Sequence, residues 1–325
     1  VKTMSTSFRV SPSTRRLAAA SVALLSAFSL QACSSSDGEG ETKASGDPIK
    51  FAAVPAEASD NLMSDYENLT KLIEKETGRP VEFQNASDYA AVIEGMRAGQ
   101  LDVASFGPFS YVIAKDSGIN LEPAASGTDE EGGEPSYISL AYVKSSNNDI
   151  QSLSDLNGKT VCFVDQASTS GYLVPMKGLK ELGIDLDKDL TPVMAGGHDA
   201  SILSLVSGNC DVAFAHNSMV TTLAKSGQIQ ESDVKSIWES DPITEDPIAV
   251  NRDTLDGETA DKIIEAIREK ANKPALVEEG ICDNEDDCTL PEELGWGYVK
   301  VEDSDFDSIR DICKVTDAPA CRNVG

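Results

Sequence analysis

Residues 160–182 read TVCFVDQASTSGYLVPMKGLKEL. Thr160–Val164 is a short apolar run with strand character, and the spacing after it predicts a helix from about Thr169 to Leu182, stopped by Gly183. Ser168, Thr169 and Ser170 then stand at a strand-to-helix turn. At a helix start several main-chain N–H groups have no intrahelical partner, and the helix dipole is positive. Three hydroxyls add donors at the same spot, and Gly171 lets a ligand approach the backbone. Such a turn holds an anion without lysine or arginine. One serine or threonine at such a place usually only caps; three in a row followed by glycine leave plain capping and ligand binding both open.

Working outward, strands and helices alternate on both sides of this turn. Upstream, Ile49–Val54 reads as a strand, and Tyr66, Leu69, Leu72 and Ile73 have helical spacing up to Gly78. Val81–Phe83 is the next strand. Asp88 caps a helix with Tyr89, Val92, Ile93 and Met96 on one face, and Leu101–Ser105 is a third strand ending in the turn Phe106-Gly107-Pro108. An extended run, Ser136–Val143, precedes a polar break. Downstream come a short strand near Val193, a helix marked by Ile202, Leu205 and Val206, and strands at Val212–Ala215 and Val234–Trp238. A helix bearing Ile263, Ile264 and Ile267 follows. This order predicts an α/β protein with parallel sheets covered on both faces. Ligand sites of such sheets lie beyond the carboxyl ends of strands. Two more turns there carry polar groups. Gly196-Gly197-His198 opens a helix after a strand, where His198 is either a structural hydrogen-bonder or a second donor to the same anion. Glu245-Asp246-Pro247 lies where the chain recrosses to the first half; Asp246 is either a solvated loop acid or the acceptor for a protonated ligand oxygen, which selects against an anion without a proton.

Composition narrows the function. With 55 acidic against 27 basic residues, a net charge of −28 argues against a nucleic-acid binder, which would show basic patches. Two histidines in 325 residues leave little room for chemistry built on several imidazoles. Arg15 and Arg16 precede a short apolar run, 17–30, too short to span a bilayer and of secretory-signal type. The run ends in Leu30-Gln31-Ala32-Cys33, which looks like a lipobox. Residues 1–32 are therefore expected to be a signal peptide, and 33–47 a lipidated Cys33 with a small, polar, acidic tether. Removing Lys2, Arg9, Arg15 and Arg16, with no acid among them, takes the net charge to −32. Six cysteines remain, an even number that fits an exported protein. Cys162 and Cys210 each open an apolar strand, Cys282 and Cys288 bracket an acidic loop, and Cys313 and Cys321 bracket a short segment. Those three pairings suggest themselves among about 15 possible connectivities. A metal site is disfavoured, because no C-x-x-C occurs and neither histidine has ligand spacing from a cysteine.

Several stretches together resemble the substrate-binding proteins of phosphate, phosphite and phosphonate ABC importers. They are SDYAAVIEGMR at 87–97, STSGYLVP at 168–175, Gly196-Gly197-His198, Asp211-Val212-Ala213 and Asp246-Pro247, in the family's order. The match covers most of residues 49–255; the last seventy residues match much less, apart from Leu294-Gly295-Trp296. The resemblance implies the type II periplasmic-binding fold, two α/β lobes with mostly parallel sheets and a ligand cleft between them. On this reading residues 48–143 with 248–325 form one lobe and 144–247 the other. It also implies that Ser168, Thr169, Ser170, His198 and Asp246 hold the phosphorus oxyanion, with Tyr89 and Tyr137 as cleft tyrosines of the other lobe. Tyr89 also lies on the apolar face of its helix, where core packing is the plainer role. Members that bind aminoalkylphosphonates carry a carboxylate where this chain has Ser218, which favours phosphite, phosphate or a small alkylphosphonate.

The expected function is thus extracytoplasmic capture of a small phosphorus oxyanion by a monomer, anchored to the membrane through lipid alone. It needs no cofactor and hands its ligand to an ABC permease with its ATPase. Two alternatives stand beside it. One is a tethered sensor for a signalling receptor. The other is a Ser/His hydrolase, against which no G-x-S-x-G elbow is found. For the anchor, Cys33→Ala is expected to release the protein from membranes or block its maturation; unchanged fractionation and unchanged mass would dismiss the lipobox.

Overall fold

The structure, a computed structural model, describes residues 46–56 and 59–323. The signal, Cys33 and most of the tether lie outside the described residues. The first sheet is built around β1 (Ile49–Ala53), whose sequence IKFAA is buried apart from Lys50, as a central strand must be. It pairs in parallel with β2 (Val81–Asn85), Ile49 opposite Val81, and with β3 (Val103–Ser105), Phe51 opposite Val103. Helices α1 (Ser59–Asp65) and α2 (Glu67–Thr77) join β1 to β2, and α3 (Tyr89–Arg97) joins β2 to β3. The Asp88 side chain accepts from the Ala91 N–H at 2.8 Å, the expected cap, and α3 buries Tyr89, Val92, Ile93 and Met96. After β3 come α4 (Pro108–Asp116) and β4 (Leu121–Thr128).

The chain then passes through β5 (Ser136–Tyr137) into a second sheet. Its elements are β6 (Ser139–Lys144), β7 (Thr160–Phe163), α5 (Val174–Glu181), α6 (Leu186–Asp189), β8 (Thr191–Met194), α7 (His198–Ser207), β9 (Val212–His216), α8 (Met219–Lys225) and β10 (Val234–Glu239). It returns through β11 (Ile243–Thr244) to β12 (Pro247–Asn251), α9 (Gly257–Lys270), α10 (Lys273–Glu278), β13 (Gly297–Lys300) and α11 (Asp307–Thr316). The sheet orders are β13-β4-β12-β3-β1-β2 and β10-β6-β9-β7-β8, and β5 pairs with β11 in a two-stranded ribbon where the chain crosses in each direction.

Two sequence expectations are corrected, and two elements are added. The run 136–143 is two strands, not one: β6 pairs with β9 and β10, so the chain has already entered the second sheet at Ser139 rather than after Val143. The sheets are mixed rather than mostly parallel. Parallel pairs cluster at one end of each sheet, around β1 and β7, whereas β4, β6, β10, β12 and β13 pair antiparallel. A strand that reaches a sheet from elsewhere in the fold need not follow the right-handed crossover that makes neighbours parallel. Finally, α4 and β4 carry no periodic signal. Residues 108–114 of α4 are all buried, so no polar face alternates with an apolar one, and β4 (LEPAASGT) is small-residue-rich with a bulge beside Pro123.

Packing follows the layers. Leu69 and Leu72 of α2 and Ile263, Ile264 and Ile267 of α9 pack on Phe51, Val103 and Val250. Ile202 and Leu205 of α7 and Leu223 of α8 pack around Cys162 and Ala213. Cys162–Cys210 links the body of β7 to the residues just before its parallel neighbour β9, with Cα atoms 5.8 Å apart. Cys282–Cys288 and Cys313–Cys321 are also bridged, at 5.4 and 5.6 Å.

The stretch 168–182 departs from a plain α-helix. Residues Thr169–Leu173 form a wider π turn, with Leu173 N–H bonded to the Ser168 carbonyl, before α5 begins. Pro175 has no N–H, so one carbonyl of that turn lacks its helical donor. Ser139 Oγ donates to the Ser170 carbonyl at 2.6 Å and Val164 N–H to the Gly171 carbonyl at 3.1 Å, which satisfies both. Gly171 sits so close to β7 that a Cβ there would meet Val164 Cγ2 at 2.3 Å. Gly171→Ala is therefore expected to destabilise the protein by about 1–3 kcal/mol through overpacking. Urea unfolding measures this; a change below ~0.5 kcal/mol would show that the turn has room to relax.

Candidate functional site

The Ser-Thr-Ser turn is wholly buried: Ser168, Thr169 and Ser170 are 1–2% exposed. Each hydroxyl has a distinct neighbour. Ser168 Oγ accepts from Gly171 N–H at 3.1 Å and lies 3.5 Å from His198 Nε2. Thr169 Oγ1 accepts at 2.8 Å from the N–H of Phe109, in the first turn of α4, where a helix N–H has no internal partner. The Ser170 hydroxyl meets the hydroxyl of Tyr137, and that of Ser168 meets Tyr89.

These contacts place all seven sequence-predicted site residues around one cavity: Tyr89, Tyr137, Ser168, Thr169, Ser170, His198 and Asp246. The cavity they enclose is nearly closed, about 10 Å³, room for about one water molecule. Tyr89 both packs on the apolar face of α3 and reaches the cavity, so its two readings are compatible. Elements of both sheets contribute. His198, the first residue of α7, donates its N–H at 2.7 Å to the carbonyl of Ala56, just beyond β1.

Protonation states follow from burial. The N–H of His216 donates to His198 Nδ1 at 3.2 Å, which leaves the imidazole proton on Nε2, facing Ser168. Burial, reinforced by His216, keeps His198 well below its ordinary pKa and therefore neutral at physiological pH. The carboxyls shift the other way. Burial first, then Glu292 and Glu245, hold Asp246 well above the ordinary carboxylate range, and Glu245 is raised by burial and by Glu292. Burial raises Glu292 to about 7. Among the described residues, those lining the cavity include no lysine or arginine.

Sequence reasoning missed Glu292, His216 and Gly107, which also line the cavity. Glu292 belongs to the segment Pro291-Glu292-Glu293, which carries no local motif. It adopts φ +56°, an uncommon conformation for a non-glycine residue, and adjoins a second small cavity lined by Tyr66, Ser105, Glu245 and Tyr298. His216 was hidden as the continuation of an apolar strand. Gly107 left a trace, the turn after a strand: a Cβ there would lie 3.4 Å from Thr169 Oγ1 and 3.9 Å from Asp246 Oδ1. Ser218 lies outside the cavity lining and contacts His216 instead. A wider groove elsewhere, lined by Leu153, Val174, Leu182, Trp238 and Val315, brings no comparable set of buried polar groups together.

Comparison with known proteins agrees with this architecture. Residues 51–287 match the family model described as "ABC transporter, phosphonate, periplasmic substrate-binding protein". The chain is 42% identical over 315 residues to the phosphate-import protein PhnD of Mycolicibacterium smegmatis, covering 94% of this chain and 96% of that one. It is 30% identical over 282 residues to the phosphonates-binding periplasmic protein of Escherichia coli, covering 85% and 78%. The crystal structure of a binding protein component of an ABC phosphonate transporter from Pseudomonas aeruginosa superposes with a TM-score of 0.72 at 25% identity, over 83% of this chain and 87% of that one. The chain thus belongs to the periplasmic substrate-binding proteins of phosphonate-type ABC transporters, extracytoplasmic components that bind a ligand for transport rather than enzymes that transform it.

Proposed function

We propose that the protein is a lipid-anchored, monomeric binding protein that captures a small phosphorus oxyanion (phosphonate, phosphite or phosphate) in this cavity and delivers it to an ABC permease. The carrying observation is the convergence of Ser168, Thr169, Ser170, His198, Tyr89, Tyr137 and Asp246 on one small buried space. The relatives' names, a phosphate-import protein and a phosphonates-binding protein, support the same ligand class. On this reading one lobe carries the six-stranded sheet, the other carries the five-stranded sheet, and the β5–β11 ribbon joins them. Cys33 and its tether hold the body beside the membrane.

The binding chemistry relies on neutral donors. Hydroxyls, the His198 Nε2–H and main-chain N–H groups at the π turn offer hydrogen bonds to an anion's oxygens, and hydrogen bonds to a charged group are the strong ones. Asp246, whose pKa burial raises, shares a proton with one ligand oxygen, whichever of the two formally carries it. Losing one hydroxyl without unpairing the backbone isolates such a bond. Ser170→Ala is expected to weaken methylphosphonate binding by about ten- to a hundredfold, from ~1.5–3 kcal/mol per charged-group bond. An unchanged affinity would remove Ser170 from the site.

The ligand panel tests the function itself. Calorimetry is expected to rank phosphite, phosphate and methylphosphonate above aminoethylphosphonate, because position 218 is serine and Asp246 and Glu292 are held toward their neutral forms. Glu292 and Glu245 nonetheless stand near the cavity, so Ser218 alone does not decide the amine. Tight aminoethylphosphonate binding that Glu292→Gln abolishes would assign the amine to Glu292 and overturn the ranking. No binding to any of the four would overturn the proposed ligand class.

Affinity should also depend on pH. A dianion is bound more readily while the neighbouring carboxyls are protonated, so binding weakens as pH rises through their raised pKa values. Glu292, raised to about 7, titrates inside that window, and Asp246 and Glu245 are also raised. Titration of methylphosphonate binding from about pH 6 to 9 should show the fall, and Glu292→Gln should flatten its part near neutrality. A profile that the substitution leaves unchanged would remove Glu292 from the linkage.

A further inference from the structure

His216 closes β9, the strand VAFAH, and is 4% exposed. Its ring meets that of His198 edge to face, with centroids 4.5 Å apart. Nδ1 lies 2.8 Å from Ser218 Oγ. Nε2 is buried and has no hydrogen-bond partner, the single side-chain nitrogen or oxygen of that kind among the described residues. His216 lines the same cavity as the Ser-Thr-Ser turn. Buried polar atoms are nearly always paired, because leaving one unpaired costs its full desolvation. An orphaned ring nitrogen at the wall of a polar cavity is therefore a group waiting for the cavity's occupant.

The geometry points to His216 as a second imidazole donor to the bound oxyanion, with its Nε2–H directed at a ligand oxygen and Ser218 holding the tautomer by donating its hydroxyl proton to Nδ1. This assignment rests on the oxyanion reading of the cavity and adds a residue to it. A serine hydroxyl either donates or accepts, but only donation to Nδ1 leaves the proton on Nε2, and a cavity that takes an anion favours that arrangement. Burial lowers His216 to about pKa 4, so the ring acts as a neutral donor across the physiological range. Ser218, where members that bind aminoalkylphosphonates carry a carboxylate, thus acquires a different use. A carboxylate there would accept the proton of Nδ1 and turn Nε2 into an acceptor. Ser218 is a positioning residue: it reaches the ligand only through His216.

The test compares His216→Phe with the unaltered protein. Phenylalanine fills similar space and removes both ring nitrogens. Affinity for methylphosphonate and for phosphate, measured by calorimetry, is expected to fall about ten- to a hundredfold, the range for a hydrogen bond to a charged group. The thermal midpoint without ligand should stay the same or rise, since an unpaired buried nitrogen has been removed. Unchanged affinity in a folded variant would overturn the assignment while leaving the oxyanion reading intact. Failure of the unaltered protein to bind either anion would instead overturn that reading.

A measurement on the native side chain covers the case in which His216→Phe does not fold. The chain has only two histidines, so nitrogen-15 imidazole spectra carry two residues, separable with His198→Asn. Saturating phosphate is expected to show His216 protonated at Nε2, with that proton shifted downfield. An Nε2 resonance that phosphate leaves unmoved, or a proton found on Nδ1, would overturn the proposal.

Discussion

The N–H of Phe109 gives its hydrogen bond to Thr169 Oγ1, and the site's construction depends on that contact. It joins the first turn of α4, which follows the six-stranded sheet, to the π turn beyond β7 of the five-stranded sheet. The bond from His198 N–H to the Ala56 carbonyl does the same on another side. A polar cavity can be buried only if its walls satisfy one another, because an unpaired polar atom away from water is costly. Here each donor is a main-chain N–H left over at a helix start, and its acceptor, the Thr169 hydroxyl or the Ala56 carbonyl, belongs to a segment that follows a strand of the other sheet. The π turn is part of the same arrangement: Pro175 brings it no N–H, and Ser139 and Val164 bond the Ser170 and Gly171 carbonyls from outside the helix.

Charge makes the site unusual for an anion. The chain carries −28 overall and lines the cavity with no lysine or arginine among the described residues. Long-range attraction is therefore unavailable, and a bound anion must be held by short, desolvated hydrogen bonds. Burial prepares the groups for this by keeping them neutral. Both imidazoles fall below their ordinary pKa, and Asp246, Glu245 and Glu292 rise above theirs. The carboxyls shift one another as well as being shifted by burial, so the occupant's charge and the protons they hold are linked.

The C-terminal residues, which match the family pattern least, still matter to this arrangement. β13 extends the first sheet beside β4, and the segment before it delivers Glu292 to the cavity wall. Further along, Arg310 of α11 forks onto Asp116 at the end of α4 and onto Asp303, whose carboxylate also accepts from the Tyr111 hydroxyl. That network fixes the C-terminal helix to α4, the helix whose first turn bonds Thr169. A partly buried, bidentate arginine of this kind is positioned more firmly than an exposed ion pair.

Much of the site was legible in the chain. Hydroxyls, glycine and histidine at strand-to-helix turns are local signals: the orphan donors of a helix start exist wherever a helix starts, so Ser168–Ser170 and His198 declare themselves. The parallel alternation around β1 and β7, the Asp88 cap and the Cys282–Cys288 and Cys313–Cys321 pairings are legible for the same reason, being set by period, capping chemistry or short spacing, whereas Cys162–Cys210, 48 residues apart, depends on β7 and β9 lying side by side. What the tertiary structure alone decided is which distant groups face one another. Glu292 stands in the cavity because β13 joins the first sheet, and nothing in Pro291-Glu292-Glu293 records that. His216 looks like the buried end of an apolar strand until Ser218 and His198 are seen beside it. The entry of β6 into the second sheet at Ser139, and the mixed strand directions, depend on where the chain crosses between sheets. Alternating hydrophobicity reports which residues are buried, but not which strand lies next to which, because register and partner are chosen by contacts far apart in the chain.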